Sequence, residues 1–458
     1  MPKLEFDQEL IQRYDTSGPR YTSYPTAAQF TTDFRDADYR RQIALSNEAG
    51  RPLSLYFHIP FCDTICFYCA CNKVVTKNRA RAQPYLENVY KELALQAPLF
   101  EQGRTVEQLH WGGGTPTFIS HDQMRELMQA TRAHFNLRDD DQGEFSIEVD
   151  PREADAETIA LLRELGFNRL SLGVQDFDPQ VQKAVNRLQS IEQTTEVLNA
   201  ARASGFHSVS VDLIYGLPHQ SVASFHDTLQ TVLALSPDRL SIFNYAHLPD
   251  LFKTQRQIHA EDLPAPATKL AILQDSITTL TAAGYVYIGM DHFAKPEDEL
   301  AQAQSSGKLY RNFQGYSTHA DCDLVGFGAT SIGKVHDCYS QNLRTLDEYG
   351  QALAEDRLPV FRGITLDQDD KLRRDIITRL ICHFSLDITA VEQAYGIHFA
   401  QYFANALEQL QAMADDGLLQ LDPQRIVVSP RGSLLIRNIC MVFDKYLSHG
   451  QKRYSKVI

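Results

Sequence analysis

The chain reads as an α/β protein whose core is a partial (β/α)6 barrel, and two observations carry that prediction. From residue 52 to about residue 245, short strand-like runs alternate with helical ones, the pattern of right-handed βαβ units and a parallel sheet. Six such units occur, too many for one Rossmann half and two short of a closed eight-stranded barrel. A doubly wound sheet stays open as the alternative, because strand order is not written in a periodicity.

Ahead of the barrel, residues 1–36 are expected to form an N-terminal strap. They contain SGPRYTSYPT, from Ser17 to Thr26, whose Gly-Pro and Tyr-Pro steps mark extended chain. Arg20, Tyr21 and Tyr24 could close over a site, or the segment is packing. The strands are expected at Leu53–His58, Gln108–Trp111, Phe145–Val149, Arg169–Val174, Val209–Tyr215 and Leu240–Tyr245. Between them, helices are expected at Ala82–Leu99, His121–His134, Ala156–Leu165, Ile191–Ala203 and Val222–Leu235. After another helix at Ala267–Ala283, the block through Asn312–Tyr316 and Gly326–Gly333 breaks the pattern and is rich in glycine and aromatics. It reads as a substrate-facing extension rather than a further repeat. A linker is expected at RLPVFRG (357–363), then helices at Leu366–Phe384, Ile388–Ala394 and Phe399–Asp416, a hairpin at Gly417–Ser429 and a last helix at Gly432–Leu447. The division is therefore 1–36, 37–360 and 361–458, with a mostly helical, winged-helix-like C-terminal domain.

Composition narrows the function. With 43% hydrophobic and 22% charged residues among 458, the chain can build a large core. A formal charge of −14 argues against nucleic acid as a partner, and no basic cluster marks the winged-helix-like region. No run of about 18 apolar residues suggests a membrane span. The N-terminus has no apolar signal region and half of the cysteines are isolated, so a reducing cytoplasm is expected.

Four of the eight cysteines fall in CDTICFYCAC, from Cys62 to Cys71. Three soft thiolates spaced x3 and x2 can bind three irons of a cubane cluster and leave the fourth open. Zinc would ordinarily want a second CxxC or histidines, and disulfides would imply export. Cys71 sits so close to Cys69 that it need not be a ligand, although a closed cluster completed by Cys71 is a further reading. Reactive groups of parallel α/β folds collect at the carboxyl ends of the strands. Those ends carry Tyr56, the turn Gly112-Gly113-Gly114-Thr115, Glu148, Gln175, Asp212 and Ala246. The glycines would let a ligand approach the backbone, Glu148 and Asp212 suit an amino group or ribose hydroxyls, and Arg187 suits a carboxylate.

The CxxxCxxC spacing, with Tyr68 before the third cysteine, resembles the radical SAM superfamily. Together with RYTSYPT, GGGTP, EVDPRE, GVQDF, DLIYGLP, FNYAHLP, GMDHFA, NFQGY and LIRNIC, it resembles the oxygen-independent coproporphyrinogen III oxidase family from about residue 14 to the C-terminus. The resemblance implies a radical SAM barrel, a 4Fe–4S cluster on Cys62, Cys66 and Cys69, and two molecules of S-adenosyl-L-methionine (SAM). It assigns Tyr56, Gly113, Glu148 and Ile332 to the first SAM. Tyr68, Gly114, Thr115, Gln175, Arg187, Asp212 and Ala246 go to the second or to its boundary with the first. Phe313 and Gln314 are its catalytic residues on the substrate side. One departure stands: Thr115 replaces the acidic residue often found after the glycines.

The implied reaction converts two propionates of coproporphyrinogen III to vinyls in haem biosynthesis, in the cytoplasm, by a monomer whose electron donor and acceptor are not named by the sequence. The rivals are a haem chaperone and a haem-ring-opening enzyme of the same superfamily. The chaperones usually lack the CxC pair and the RYTSYPT segment that this chain has.

Overall fold

The computed structural model describes residues 4–447. It falls into two compact units, Phe30–Ala265 with Asp321–Thr365, and Met1–Gln29 with Pro266–Ala320 and Leu366–Ile458. Compactness thus groups the segments differently from their linear order.

In the first unit six strands run parallel: β1 (Leu53–Ile59), β2 (Thr105–Gly113), β3 (Glu144–Val149), β4 (Arg169–Gln175), β5 (Ser208–Tyr215) and β6 (Arg239–Asn244). Each pairs with the next in the chain. An order that never reverses excludes the doubly wound alternative. The expected helices are present, with His121–His134, Ile191–Ala203 and Val222–Leu235 at the expected bounds. Their starts are set locally. Ser120 with Gln123, Ser190 with Gln193, and Ser221 with Ser224 form reciprocal caps that satisfy backbone N–H groups of the first turn.

Two expectations fail at the other edge of β1. The block around Gly326 is not merely an extension: β7 (Asp323–Phe327) pairs in parallel with β1, Leu53 facing Asp323. From there β8 (Ile332–Val335), β9 (Cys338–Asn342) and β10 (Val360–Thr365) continue antiparallel. The stretch expected as a linker is therefore a strand, held by its ladder to β9. Gly363 allows it, since a Cβ there would lie 2.4 Å from the Tyr339 carbonyl oxygen.

The period-two alternation of the parallel strands separates two faces. Leu55, Phe57, Leu109, Trp111, Ile147, Leu172, Val211 and Leu213 are almost wholly buried on one. Tyr56, His58, His110, Glu148, Ser171 and Asp212 alternate with them and lie on the other. The apolar face packs under the helices; the polar one is the inner wall of the barrel. That division decides where chemistry is possible.

The second unit builds one core from three stretches of chain. Tyr21 and Tyr24, Ile288 and Leu300, and Leu380, Ile381 and Phe443 all contribute. The tyrosine rings of the strap are thus not open to a ligand. Tyr21 is 4% and Tyr24 2% exposed, the Tyr21 hydroxyl donates to Asp444 at 2.9 Å, and Arg20 pairs with Asp291 at 2.8 Å. Phenol rings bury more apolar area in a core than they would over a surface. Helix Gln368–His383 and a three-stranded sheet of Ser385–Asp387, Arg425–Val428 and Leu419–Leu421 give the winged-helix-like shape. The expected helix over 399–416 breaks into Phe399–Tyr402 and Ala404–Asp415. The last one is short, Ile436–Met441 after a single 3-10 turn.

Candidate active site

The cysteine loop leaves β1 through Phe61–Cys62, which pairs with Val74–Val75 and closes the loop at its base. Val74 N–H donates to the Pro60 carbonyl at 2.7 Å and Thr76 N–H to that of Cys62 at 2.9 Å. Inside, Phe67 N–H reaches the Val185 carbonyl at 3.0 Å, and Lys73 Nζ the Cys69 carbonyl at 3.0 Å. Cys66 is buried, Cys62 and Cys69 are half-buried, and Cys71 is exposed.

All four are free thiols, and among the described residues no three His, Cys, Asp or Glu side chains stand in ligand geometry for a metal ion. Their donor chemistry nevertheless fits an iron–sulfur cluster. Arg187 Nη1 lies 3.6 Å and Arg152 Nη2 3.7 Å from Cys66 Sγ, and Thr115 Oγ1 lies 3.7 Å from Cys62 Sγ. Hydrogen bonds to ligand sulfurs are the usual support of such a group. Burial pushes the Cys62 thiol up to about 11. A hydrogen bond from Cys71, aided by Lys73, brings Cys69 down to about 6.

The triple glycine has a packing reason of its own. A Cβ on Gly113, whose φ is +121°, would meet the His58 ring at 2.7 Å, and one on Gly114 the Phe61 carbonyl oxygen at 2.7 Å. Gly114 N–H and Thr115 N–H then donate to the carbonyls of Ile59 and Phe61, both at 2.8 Å. The turn is thus glycine in part because it is laced to the start of the cysteine loop.

On the inner wall the predicted residues converge. The Tyr56 ring stacks on His110 at 5.8 Å and its hydroxyl meets His58 Nδ1 at 3.1 Å. Glu148 accepts from Gly113 N–H at 3.1 Å, and His110 Nε2 lies 3.5 Å from its other oxygen. Although ringed by protein, Glu148 keeps 48% of its side chain accessible. Burial raises its pKa, but the His110 hydrogen bond and charge more than offset that and hold it below the usual range. Asp212 is pushed up to about 6, chiefly by burial and with a contribution from the negative charge of Glu148, while Ser171 donates to it at 2.9 Å.

Arg187 completes the wall. It donates to Asp150 at 2.9 Å and to the Gly173 carbonyl at 2.5 Å, and its buried Nε–H has no partner. Gly173 makes room for it, since a Cβ there would meet Gln175 Nε2 at 2.9 Å and the guanidinium at 3.2 Å. Tyr68 packs beside Val181, Val185 and Tyr245. Ala246 follows β6, half-buried, and Ile332 opens β8. Behind Ile332, the fully buried Glu92 accepts from Gly328 N–H at 2.8 Å, Asn342 at 2.6 Å and the Tyr349 hydroxyl at 2.6 Å. An unpartnered guanidinium N–H, an accessible carboxylate and a second buried one are the complement of a polar, zwitterionic nucleoside, so the wall fits SAM.

Residues 56–232 match the radical SAM superfamily model and residues 366–435 that of the HemN C-terminal domain. Over 456 residues, 99% of both chains, the protein is 54% identical to an oxygen-independent coproporphyrinogen III oxidase of Pseudomonas aeruginosa. Over 458 residues it is 51% identical to one of Escherichia coli, covering 100% of this chain and 99% of that one. The solved structure of the Escherichia coli coproporphyrinogen III oxidase (HemN), described as a radical SAM enzyme, superposes with a TM-score of 0.93 at 49% identity, covering 97% of this chain and 100% of that one. The chain belongs to the oxygen-independent coproporphyrinogen III oxidase family. A 4Fe–4S cluster and SAM follow from the radical SAM family.

Within this coproporphyrinogen oxidase scaffold two predicted residues belong to the second unit. Phe313 and Gln314 form the two-residue turn of a hairpin, Tyr310–Asn312 and Gly315–Ser317, in the second unit. The sequence reading also missed supporting residues. His58 and His110 were legible only as polar positions alternating along apolar strands. Asp150 and Arg152, in the run EVDPRE, make the ion pair at 2.7 Å that stands beside Cys66.

A groove of about 620 Å³ elsewhere in the first unit is lined by Arg125, Arg132, Arg138 and Arg163. Arg138 is paired with Glu107 and Asp140, and Arg163 with Asp141.

Proposed function

We propose that this chain oxidatively decarboxylates two propionates of coproporphyrinogen III to vinyl groups, forming protoporphyrinogen IX without dioxygen, in the cytoplasm. When bound, the cluster and SAM supply an electron and a 5′-deoxyadenosyl radical that takes a hydrogen atom from the propionate carbon beta to the carboxylate. Carbon dioxide then leaves and one electron passes to an external acceptor, so each vinyl consumes one SAM and a turnover consumes two. The reading is carried by near-complete coverage at over half identity to enzymes of that name, with a full set of polar side chains on the inner wall.

The chain's own residues divide the work. Cys62, Cys66 and Cys69 would hold three irons, with Arg152, Arg187 and Thr115 donating to the sulfurs. Glu148 would accept from the SAM amino group, Tyr56, Gly113 and Ile332 lining the same site. Tyr68, Gly114, Thr115, Gln175, Arg187, Asp212 and Ala246 would serve a second SAM or the boundary between two. Phe313 and Gln314 would face the tetrapyrrole. Anaerobic incubation with coproporphyrinogen III, SAM and a reductant, followed by mass analysis, tests this. Loss of two carboxyl groups, with two deoxyadenosines formed, is expected. SAM cleavage that leaves the tetrapyrrole mass unchanged would sink the decarboxylase reading, and haem binding without conversion would favour a chaperone.

A further inference from the structure

Arg311 lies on the stem of the hairpin whose turn is Phe313-Gln314. It is 7% exposed, its guanidinium sits 4.7 Å from the centre of the Tyr316 ring, and its Nε–H and Nη1–H groups are buried with no hydrogen-bond partner. The Gln314 amide nitrogen, in the turn of the same hairpin, is likewise buried and unpartnered. Native structures rarely leave such donors unmet, and a guanidinium cannot shed its charge to escape the cost.

Its surroundings add positive charge. Arg437, 3% exposed, donates to the backbone carbonyls of Gly18 and Pro19. Burial first, then the charges of Arg20 and Arg311, lower the Arg437 guanidinium to about 10, with Asp291 and Tyr21 acting against them. Asp291 is itself paired with Arg20. A water could accept from the Arg311 donors but could not neutralise the charge. An anion with an apolar body would do both, pairing with the fork of donors while its rim rests near Tyr316.

We infer that Arg311, seconded by Gln314 and by the positive field of Arg20 and Arg437, binds the propionate carboxylates that the reaction leaves in place. This rests on the function proposed above. The retained groups are favoured over the reacting ones for a chemical reason. Decarboxylation turns a carboxylate into neutral carbon dioxide, so a strong cationic clamp on a reacting propionate would stabilise the ground state and slow its loss. On a retained propionate the same clamp orients the ring at no such cost.

The test uses coproporphyrin III, with four propionates, and protoporphyrin IX, with only the retained pair, titrated against the iron-loaded chain by fluorescence. Arg311→Met should weaken both by the same factor, about ten- to a hundredfold, at unchanged iron content, and Arg311→Lys should recover part of the loss. In turnover the defect should appear in KM rather than kcat. Unaltered binding of both porphyrins would overturn the assignment. A loss confined to coproporphyrin would also overturn it, by placing Arg311 on a reacting propionate. Should the variants fail to fold, the wild-type chain decides: protoporphyrin IX should raise its melting temperature and the dimethyl ester should not, and equal stabilisation refutes the carboxylate site. Failure of the wild type to bind or convert any tetrapyrrole would instead refute the proposed function itself.

Discussion

Among single residues, the cysteines make the sharpest statement. Cys66 has two guanidinium groups within 3.7 Å of its sulfur, whereas Cys71 is exposed at the loop's end. Cys66→Ala should abolish the 4Fe–4S absorbance, and Cys71→Ala should retain iron and respond to SAM. Equal loss of iron in both would point to a four-cysteine cluster. Glu148 is the second case. As an accessible carboxylate steadied by His110, it should contribute about 1.5–3 kcal/mol to a charged partner. Glu148→Gln is therefore expected to weaken SAM binding about ten- to a hundredfold while iron content holds. Titration calorimetry on the iron-loaded variant measures this, and an unchanged affinity would remove Glu148 from the site.

For the elements, legibility followed local signals. The six parallel strands and their helices could be read because the strands carry their own alternation and four of the five helices their own Ser or Asp cap. β7 and β10 could not, because a five- or six-residue strand outside the run of βα units takes its identity from its neighbours. The site divides the same way. Glu148 and Asp212 were visible as charges at strand ends and Arg187 as a cation beyond β4, but Arg311 gave no sign of being buried until the hairpin was in place. The strap shows the same limit. Its prolines announced an extended chain, yet not that Tyr24 would be 2% exposed and receive a hydrogen bond from Lys445 N–H at 3.1 Å. Tyr24→Ala should cost about 3–5 kcal/mol in urea unfolding, as for other large aromatic truncations, and Tyr24→Phe about 1 kcal/mol. A neutral Tyr24→Ala would mean that the strap is not part of that core.

Across the whole molecule, Glu92 couples stability to pH. Burial pushes it up to about 7 despite the hydrogen bonds it accepts from Gly328, Asn342 and Tyr349. The folded chain therefore holds a proton that the unfolded chain has released between about pH 4.5 and pH 7. Stability should fall as pH rises through that window, by up to about 3 kcal/mol from this group. Replacing it, as Glu92→Gln, should flatten the slope. Unfolding curves of both proteins at about pH 5 and pH 7 test the sign; parallel slopes would show that the carboxyl is not the source.

The interleaving of the two units bears on how the chain is made. It passes from one to the other at Gln29, Ala265, Ala320 and Thr365. Synthesis delivers the N-terminal part of the second unit first and its closing helices last, so Tyr21 and Tyr24 emerge from the ribosome hundreds of residues before Phe443. Domains ordinarily fold in turn as they emerge, but here the second must wait for Phe443 while the barrel can condense earlier. Nascent chains halted after Thr365 should already protect the barrel from protease and leave the strap open to cleavage. A C-terminal fragment starting at Leu366 should not fold by itself, since Tyr21, Tyr24, Ile288 and Leu300 of its core are missing.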